Sequence, residues 1–358
     1  MDDKKKFWSG RIRDAAPYVP GEQPKDKKYV KLNTNENPYP PSPKVAEAVA
    51  AVARGDLRLY PDPECADLRR AIGEFYGLTP DHVFVGNGSD EVLAFSFLAF
   101  TDSETPAVFP DVTYSFYPVY GEFFAAPCRI VPVREDFTIP LEELQKDDGT
   151  VVLTNPNAPT GICLGLTDVR RILAANPHHV VILDEAYIDF GGESAMKLLP
   201  EYENLLVVQT FSKSRSLAGL RVGYALGSPG LIAALTAVKD SVNSYTLDRL
   251  ALAAARASVE DRDYFYDTCA AIAKTREKTA EKLKSLGFTV LPSKANFVFA
   301  AHETAPGKVL FRALRDRGVL VRYFDKPRID NFLRITIGTD GEMEILLKTL
   351  ADILEDLK

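Results

Sequence analysis

The clearest regularity along the chain is a series of short apolar runs separated by polar loops and helical stretches. From about Val83 onward such runs recur at residues 83–85, 107–109, 129–133, 151–153, 180–183, 205–208 and 222–226. They are nearly continuous rather than alternating, which marks strands buried on both faces. Repetition of strand, loop and helix then predicts an α/β domain built on a mostly parallel, seven-stranded sheet. After an alanine-rich helix over 247–257 the texture changes. A long amphipathic helix over 260–286 leads into strands at 288–291, 296–300, 319–323 and 332–337, and a helix over 341–357 closes the chain; this half predicts a smaller α+β domain. Ahead of both lies an arm with seven prolines between residues 15 and 43, namely Pro17, Pro20, Pro24, Pro38, Pro40, Pro41 and Pro43. Proline density makes the arm extended and suits it to packing on another surface, with one apolar strand at 29–32 and a helix following over 43–54. The expected division is an arm over 1–42, a large domain over 43–255 and a small domain over 256–358, with no internal repeat.

Composition narrows the function classes. At 46% hydrophobic and 26% charged over 358 residues the chain reads as an ordinary globular protein. A net charge of -7, with no basic block beyond Lys4, Lys5 and Lys6, argues against nucleic acid as a partner. No apolar leader opens the chain, and its longest apolar runs are too short to span a bilayer, so a cytoplasmic protein without membrane contact is expected. Cys65, Cys128, Cys163 and Cys269 lack C-x-x-C spacing, which predicts neither a metal site nor a disulfide framework.

Candidate chemistry gathers at the strand ends. In LLVVQTFSKSRSLAGLRVG, over 205–223, a buried strand ends in a polar turn that carries Lys213 between two serines, with Arg221 eight positions on. That arrangement suits a Schiff base with pyridoxal phosphate, its phosphate met by the Ser212 hydroxyl and the Arg221 fork; a solvated surface turn is the alternative. The glycine turn at 86–88 precedes a helix starting near Ser89, so the backbone of Ser89 and Asp90 offers an anion site, or merely an Asn-Gly turn with a helix cap. Tyr114 is either a stacking ring or a core residue, and Asn157 either an amide donor to a phenolic oxygen or a turn former. Four apolar residues put Asp184 at the carboxyl end of a buried strand, where its charge calls for a cation such as a pyridinium, with Tyr187 near the ring oxygen. A nucleotide-hydrolase Asp-Glu pair is the competing reading, without the phosphate loop it needs, and a helix-capping Asp is the third. Tyr60, in the rigid turn LYPDP, reads from spacing as a packing residue.

Asn157, Asp184, Tyr187, Ser212, Lys213 and Arg221, in this order, make the chain similar to the fold type I, aspartate-aminotransferase-like pyridoxal-phosphate enzymes, over about residues 30 to 340. Within them it most resembles the histidinol-phosphate aminotransferase family. The carrying segments are KLNTNENPYPPSP at 31–43, LYPDP at 59–63, GNGSDE at 86–91, NPNAPTG at 155–161, DEAYIDF at 184–190, TFSKSRSLAGLRVGY at 210–224 and LRITIGT at 333–339. The resemblance implies pyridoxal 5'-phosphate as cofactor and Lys213 as its Schiff-base partner and proton carrier. Asp184 would then face the pyridinium, Tyr187 and Asn157 the ring oxygen, and Tyr114 the ring face. Ser89, Asp90, Ser212 and Arg221 would hold the phosphate, joined by Tyr60 from the neighbouring subunit of a homodimer. Arg322 and Arg334 would bind the phosphate of histidinol phosphate and the carboxylates of glutamate and 2-oxoglutarate in turn, while Tyr18, Asn33, Glu36 and Asn37 close over the substrate. The implied reaction converts histidinol phosphate and 2-oxoglutarate to imidazole-acetol phosphate and glutamate, in histidine biosynthesis. Rival readings are an aromatic amino-acid aminotransferase, a threonine-phosphate-decarboxylase-like enzyme and a non-catalytic pyridoxal-phosphate sensor, which would need a DNA-binding module ahead of residue 30. One residue departs from the family pattern: Arg215 stands where a small or apolar side chain is expected, and it should either enrich the phosphate site or face solvent.

Overall fold

In a computed structural model the described residues are 5–14, 16–19, 21–55 and 57–357; Lys4 and Pro20, used above, lie outside them. The strands are β1 (Val30–Leu32), β2 (Val83–Gly86), β3 (Ala107–Pro110), β4 (Cys128–Val131), β5 (Thr150–Thr154), β6 (Val181–Asp184), β7 (Leu205–Thr210), β8 (Gly223–Gly227), β9 (Phe288–Val290), β10 (Phe297–His302), β11 (Val319–Tyr323) and β12 (Leu333–Thr336). The α-helices are α1 (Gly10–Asp14), α2 (Pro43–Ala53), α3 (Ala66–Tyr76), α4 (Gly88–Phe100), α5 (Tyr117–Phe124), α6 (Leu166–Ala175), α7 (Pro229–Val242), α8 (Arg249–Glu260), α9 (Arg262–Ser285), α10 (Gly307–Asp316) and α11 (Asp340–Asp356).

Seven strands form one sheet in the order β2-β8-β7-β6-β5-β3-β4. It is parallel throughout except for β8, which runs antiparallel to both neighbours. Its central strands alternate between two cores. Leu205 and Val207 of β7, with Val181 and Leu183 of β6, pack into one; Leu206, Val208 and Ile182 pack into the other. Every residue of β5, β6 and β7 is buried, which is why these strands read as unbroken apolar runs. Register aligns Thr154 with Asp184 and Asp184 with Val208, so the carboxyl ends of the central strands form one ledge.

The second sheet has the order β1-β11-β12-β10-β9 and packs against its own core, with Phe297, Leu310, Leu333 and Leu346 among its members. It is antiparallel apart from β1, which pairs in parallel with β11, Val30 opposite Val319. The proline-rich arm is therefore stitched into this sheet, a pairing that three apolar residues do not announce. A capping box at Thr339 and Glu342 starts α11, where the sequence places the closing helix one residue later. None of the described helices is long and apolar enough to cross a membrane.

Candidate active site

One cleft lies over the carboxyl ledge of the large sheet, between it and the small sheet. Its lining includes Ser89, Asp90, Tyr114, Thr154, Asp184, Tyr187, Ser212, Lys213 and Arg221 from the large side, and Tyr18, Gln23, Asn33, Asn35, Arg322 and Arg334 from the arm and small sheet. Strands carry Thr154, Asp184, Arg322 and Arg334, the first turn of α4 carries Ser89 and Asp90, and the others stand on the arm or on loops that follow the strand ends.

At one end of the cleft the first turn of α4 carries no side-chain cap, so the amide groups that begin the helix point outward. Arg221 reaches over this turn. Its Nη2 pairs with Asp90 Oδ2 at 3.0 Å and its Nη1 donates to Ser212 Oγ at 3.4 Å. Two glycines permit the approach: a Cβ on Gly88 would lie 2.5 Å from Arg221 Nη2, and one on Gly223 would lie 2.3 Å from the Ser89 backbone nitrogen. Backbone amides, a hydroxyl and a guanidinium converging on one spot suit a phosphate.

Asp184 sits deeper, at the end of β6, 3% exposed. The Tyr117 hydroxyl donates to Oδ2 at 3.1 Å and the Ala186 amide to Oδ1 at 3.2 Å. Burial pushes its carboxyl up to about 7, against those two hydrogen bonds. A buried carboxylate held this way fits a cationic ring nitrogen, which would restore its charge. Lys213, partly buried, donates from Nζ to the Thr34 carbonyl at 2.9 Å. Burial, followed by the nearby charge of Arg334, brings its amine down to about 8. The cleft thus holds a phosphate cradle, a reactive amine and a buried carboxylate, and these fit pyridoxal phosphate group by group.

Across the cleft Arg322 and Arg334 are direct partners on β11 and β12. Arg334 donates to the Asn33 carbonyl at 3.3 Å, yet its buried Nε has no partner. Arg322 rests its guanidinium over Phe324, 5.4 Å from the ring centroid. Two adjacent forks with unused donors suit a dianion. Tyr18 stacks on Phe116 at 4.6 Å and closes the arm side, and the Tyr114 hydroxyl donates to Asp90 at 2.9 Å.

Several expected contacts differ. Glu36 does not line the cleft; Lys31 and the Thr34 hydroxyl hold its carboxylate. Asn37 turns instead to the lysine's own backbone, donating to the Lys213 carbonyl at 3.0 Å. The amide hydrogens of Asn157 go to the Val112 carbonyl and Thr160 Oγ1, both at 3.0 Å, so a bond to a ring oxygen requires one of these to be exchanged. Tyr60 is 76% exposed, away from the cleft of its own chain, and stacks on Tyr245 at 4.6 Å. Arg249 holds that turn by donating to the Leu59 and Tyr60 carbonyls.

Arg215 corrects both expectations made for it, because it is neither solvated nor near the phosphate cradle. It is 6% exposed, its guanidinium 4.0 Å from the Phe265 ring centroid and 5.0 Å from that of Phe75, and it donates to the Ser258 carbonyl at 2.6 Å. Its charge also opposes the burial of Asp189, whose carboxylate accepts from Ser214 at 2.6 Å. Replacing Arg215 by alanine removes its bond to the Ser258 carbonyl and its packing on Phe75 and Phe265, and is expected to destabilise the fold by about 1–3 kcal/mol, which urea unfolding measures directly.

Sequence reasoning assigned no role to Tyr117 or Thr154, and it placed Asn35 only within the run Asn33 to Asn37 over the substrate, without its bond to Tyr187. Tyr117 is completely buried and its hydroxyl joins Thr154 Oγ1, at 2.7 Å, to Asp184. Its only sequence signal is one polar tip in an aromatic stretch, where Tyr114 competes for the same reading.

The family description "Aminotransferase class I and II" matches residues 27–350. The chain is 55% identical over 351 residues to a histidinol-phosphate aminotransferase of Clostridium beijerinckii, with 98% of each chain covered. Identity is also 55%, over 353 residues and 98% of each chain, to the Acinetobacter baumannii protein of the same name. The crystal structure of histidinol-phosphate aminotransferase from Sinorhizobium meliloti in complex with pyridoxal-5'-phosphate shares the fold with a TM-score of 0.89, at 26% identity and 99% coverage of each chain. These matches run from the arm to the last helix and take in every strand around the cleft, and on that ground the chain belongs to the class I and II aminotransferases.

Proposed function

We propose that the chain uses pyridoxal 5'-phosphate to move an amino group between histidinol phosphate and 2-oxoglutarate, as a step of histidine biosynthesis. The observation that carries this reading is the convergence on one cleft of Lys213, Asp184 and the Arg221–Ser212 cradle, with the Arg322 and Arg334 pair facing them. The 55% identity to proteins named for that reaction supports the choice of substrate.

When bound, the cofactor supplies an electron-withdrawing ring that acidifies the hydrogen on the substrate's Cα. Arg221, Ser212 and the first amides of α4 anchor its phosphate. Asp184 balances the ring nitrogen, and Tyr117 and the Ala186 amide keep that carboxylate in place. Tyr187 would donate to the ring oxygen, Asn157 could join it by giving up its bond to Val112 or Thr160, and Tyr114 would cover the ring. Lys213, lowered to about 8, has a neutral amine within reach near neutral pH and would take the proton from the substrate's Cα. Arg322 and Arg334 take the phosphate of one substrate and the carboxylates of the other, so both half-reactions use one anion site. Tyr18 and Asn33 close the arm side over the substrate and exclude water.

The working form we infer is a homodimer, in which the exposed Tyr60 turn of each subunit reaches the partner's phosphate cradle, and its compartment is the cytoplasm. Residues 1–42, 43–255 and 256–358 would act as arm, cofactor domain and substrate-side domain. The test is a half-reaction without keto acid. Histidinol phosphate should discharge the yellow colour of the enzyme quickly at low concentration, and phenylalanine slowly. The reverse preference identifies an aromatic aminotransferase, and release of carbon dioxide from threonine phosphate a decarboxylase.

A pH dependence follows for the cofactor-free protein. Asp184 and Glu185, both buried, are pushed up to about 7. Their folded values lie above their unfolded ones, so the native state keeps protons that the unfolded chain has lost. This stability is present at low pH and disappears as pH rises through about 7. Without cofactor the protein is expected to melt a few degrees higher near about pH 5.5 than near about pH 8. Calorimetry at the two pH values checks this, and Asp184→Asn should remove part of the difference.

A further inference from the structure

Asn35 follows β1 and enters the cleft with a left-handed backbone, φ 57°, a costly conformation for a residue with a Cβ. It is 1% exposed and all its polar groups are engaged. Its backbone amide donates to the Thr336 hydroxyl at 3.0 Å, and that hydroxyl donates to the Asn35 side-chain oxygen at 2.9 Å. Its carbonyl accepts from Asn296 Nδ2 at 3.0 Å. With the side-chain oxygen committed to Thr336, Nδ2 is fixed as the donor to the Tyr187 hydroxyl, 3.0 Å away. Tyr187 therefore accepts from Asn35 and keeps its own proton for an acceptor within the cleft. Thr336 lies two residues beyond Arg334 on β12, on the same face of the strand. The strand that carries an anion-binding guanidinium thus also fixes the amide that orients the phenol.

We propose that Asn35 is a positioning residue that aims the Tyr187 phenol at the ring oxygen of the cofactor and ties that aim to β12. The proposal rests on reading the cleft as a pyridoxal-phosphate site. A hydrogen bond donated to the ring oxygen stabilises negative charge there. If that bond weakens, the oxygen holds the neighbouring proton on the lysine–cofactor nitrogen more tightly, and that proton leaves at higher pH. The charged and titratable groups facing Tyr187 are Arg334 from β12, Asp184 from β6, Tyr18 from the arm and Lys213, whose Nζ lies 5.9 Å from the ring centroid. The substitutions below leave all four in place.

The experiment is a spectrophotometric pH titration of the bound cofactor's visible band in the wild type, Asn35→Gly, Tyr187→Phe, the double variant and Thr336→Val. Glycine accepts a left-handed backbone, so Asn35→Gly removes the amide without adding strain. Asn35→Gly should raise the titration midpoint by about 0.5–1, the shift that one ordinary hydrogen bond corresponds to. Thr336→Val should raise it in the same direction, and the double variant should match Tyr187→Phe alone. A wild-type band with an unchanged Asn35→Gly midpoint, or effects that add in the double variant, would overturn the positioning role while leaving the cofactor site standing. An unchanged Thr336→Val midpoint would sever the link to β12. A wild type that forms no visible band would bring down the cofactor reading and this proposal together.

Discussion

Lys213→Ala is expected to slow amino transfer by about 10⁴-fold or more, with the fold intact, because under the proposed function one amine would serve as both covalent partner and proton carrier. The amine is prepared by its surroundings. Burial and the charge of Arg334 favour its neutral form, and its hydrogen bond goes to the Thr34 carbonyl rather than to a carboxylate that would hold it protonated. Lys213→Arg is expected to be as inactive as the alanine variant, since a guanidinium stays charged and cannot take a proton from Cα. Removing a cation that faces Arg334 and Arg221 should not destabilise the chain. Single-turnover absorbance on the two variants, with circular dichroism to check folding, decides the matter, and measurable turnover in either would reject the assigned role.

Asp184→Asn ranks second, with an expected loss of about 10²–10³ in rate and a comparable weakening of cofactor binding, the cost of breaking a buried charge pair. Asparagine matches the carboxylate in shape, and its oxygen still accepts one of the two bonds now given by Tyr117 and the Ala186 amide. What it lacks is the negative charge that, under the proposed function, would keep the ring nitrogen protonated. The two states separate cleanly, because without cofactor the same substitution relieves a buried acid and should raise the melting temperature near about pH 8. Cofactor titration and melting on one preparation would show the opposite signs, and unchanged cofactor affinity would remove Asp184 from the site.

How far the sequence alone reached depended on how local each cause was. The strands of the large sheet were legible because burial on both faces writes an unbroken apolar run, and the register of β5, β6 and β7 then lines up Thr154, Asp184 and Val208 at one edge. The reversed sense of β8 was not legible, since a short buried strand has the same composition in either direction. Motifs singled out Lys213 and Asp184, and both line the cleft. Tyr117 and Asn35 were not singled out, because their roles come from partners 67 and 152 positions away. Arg215 shows the same limit from the other side. Its neighbour is the reactive lysine, but its environment is made by Phe75, Phe265 and the Ser258 carbonyl, and no reading of the loop alone connects them.

The pairing of β1 with β11 bears on how the protein is made. Val30 leaves the ribosome long before its partner Val319 and the arginines at 322 and 334. The large sheet has all its strands by Gly227, so the cofactor side is able to fold first. The arm must wait, its short strand exposed and unpaired, until the small sheet arrives. Under the proposed function, a chain not yet extended past Arg334 would therefore hold the amine and the phosphate cradle without the anion site or its cover, and would be unable to choose a substrate.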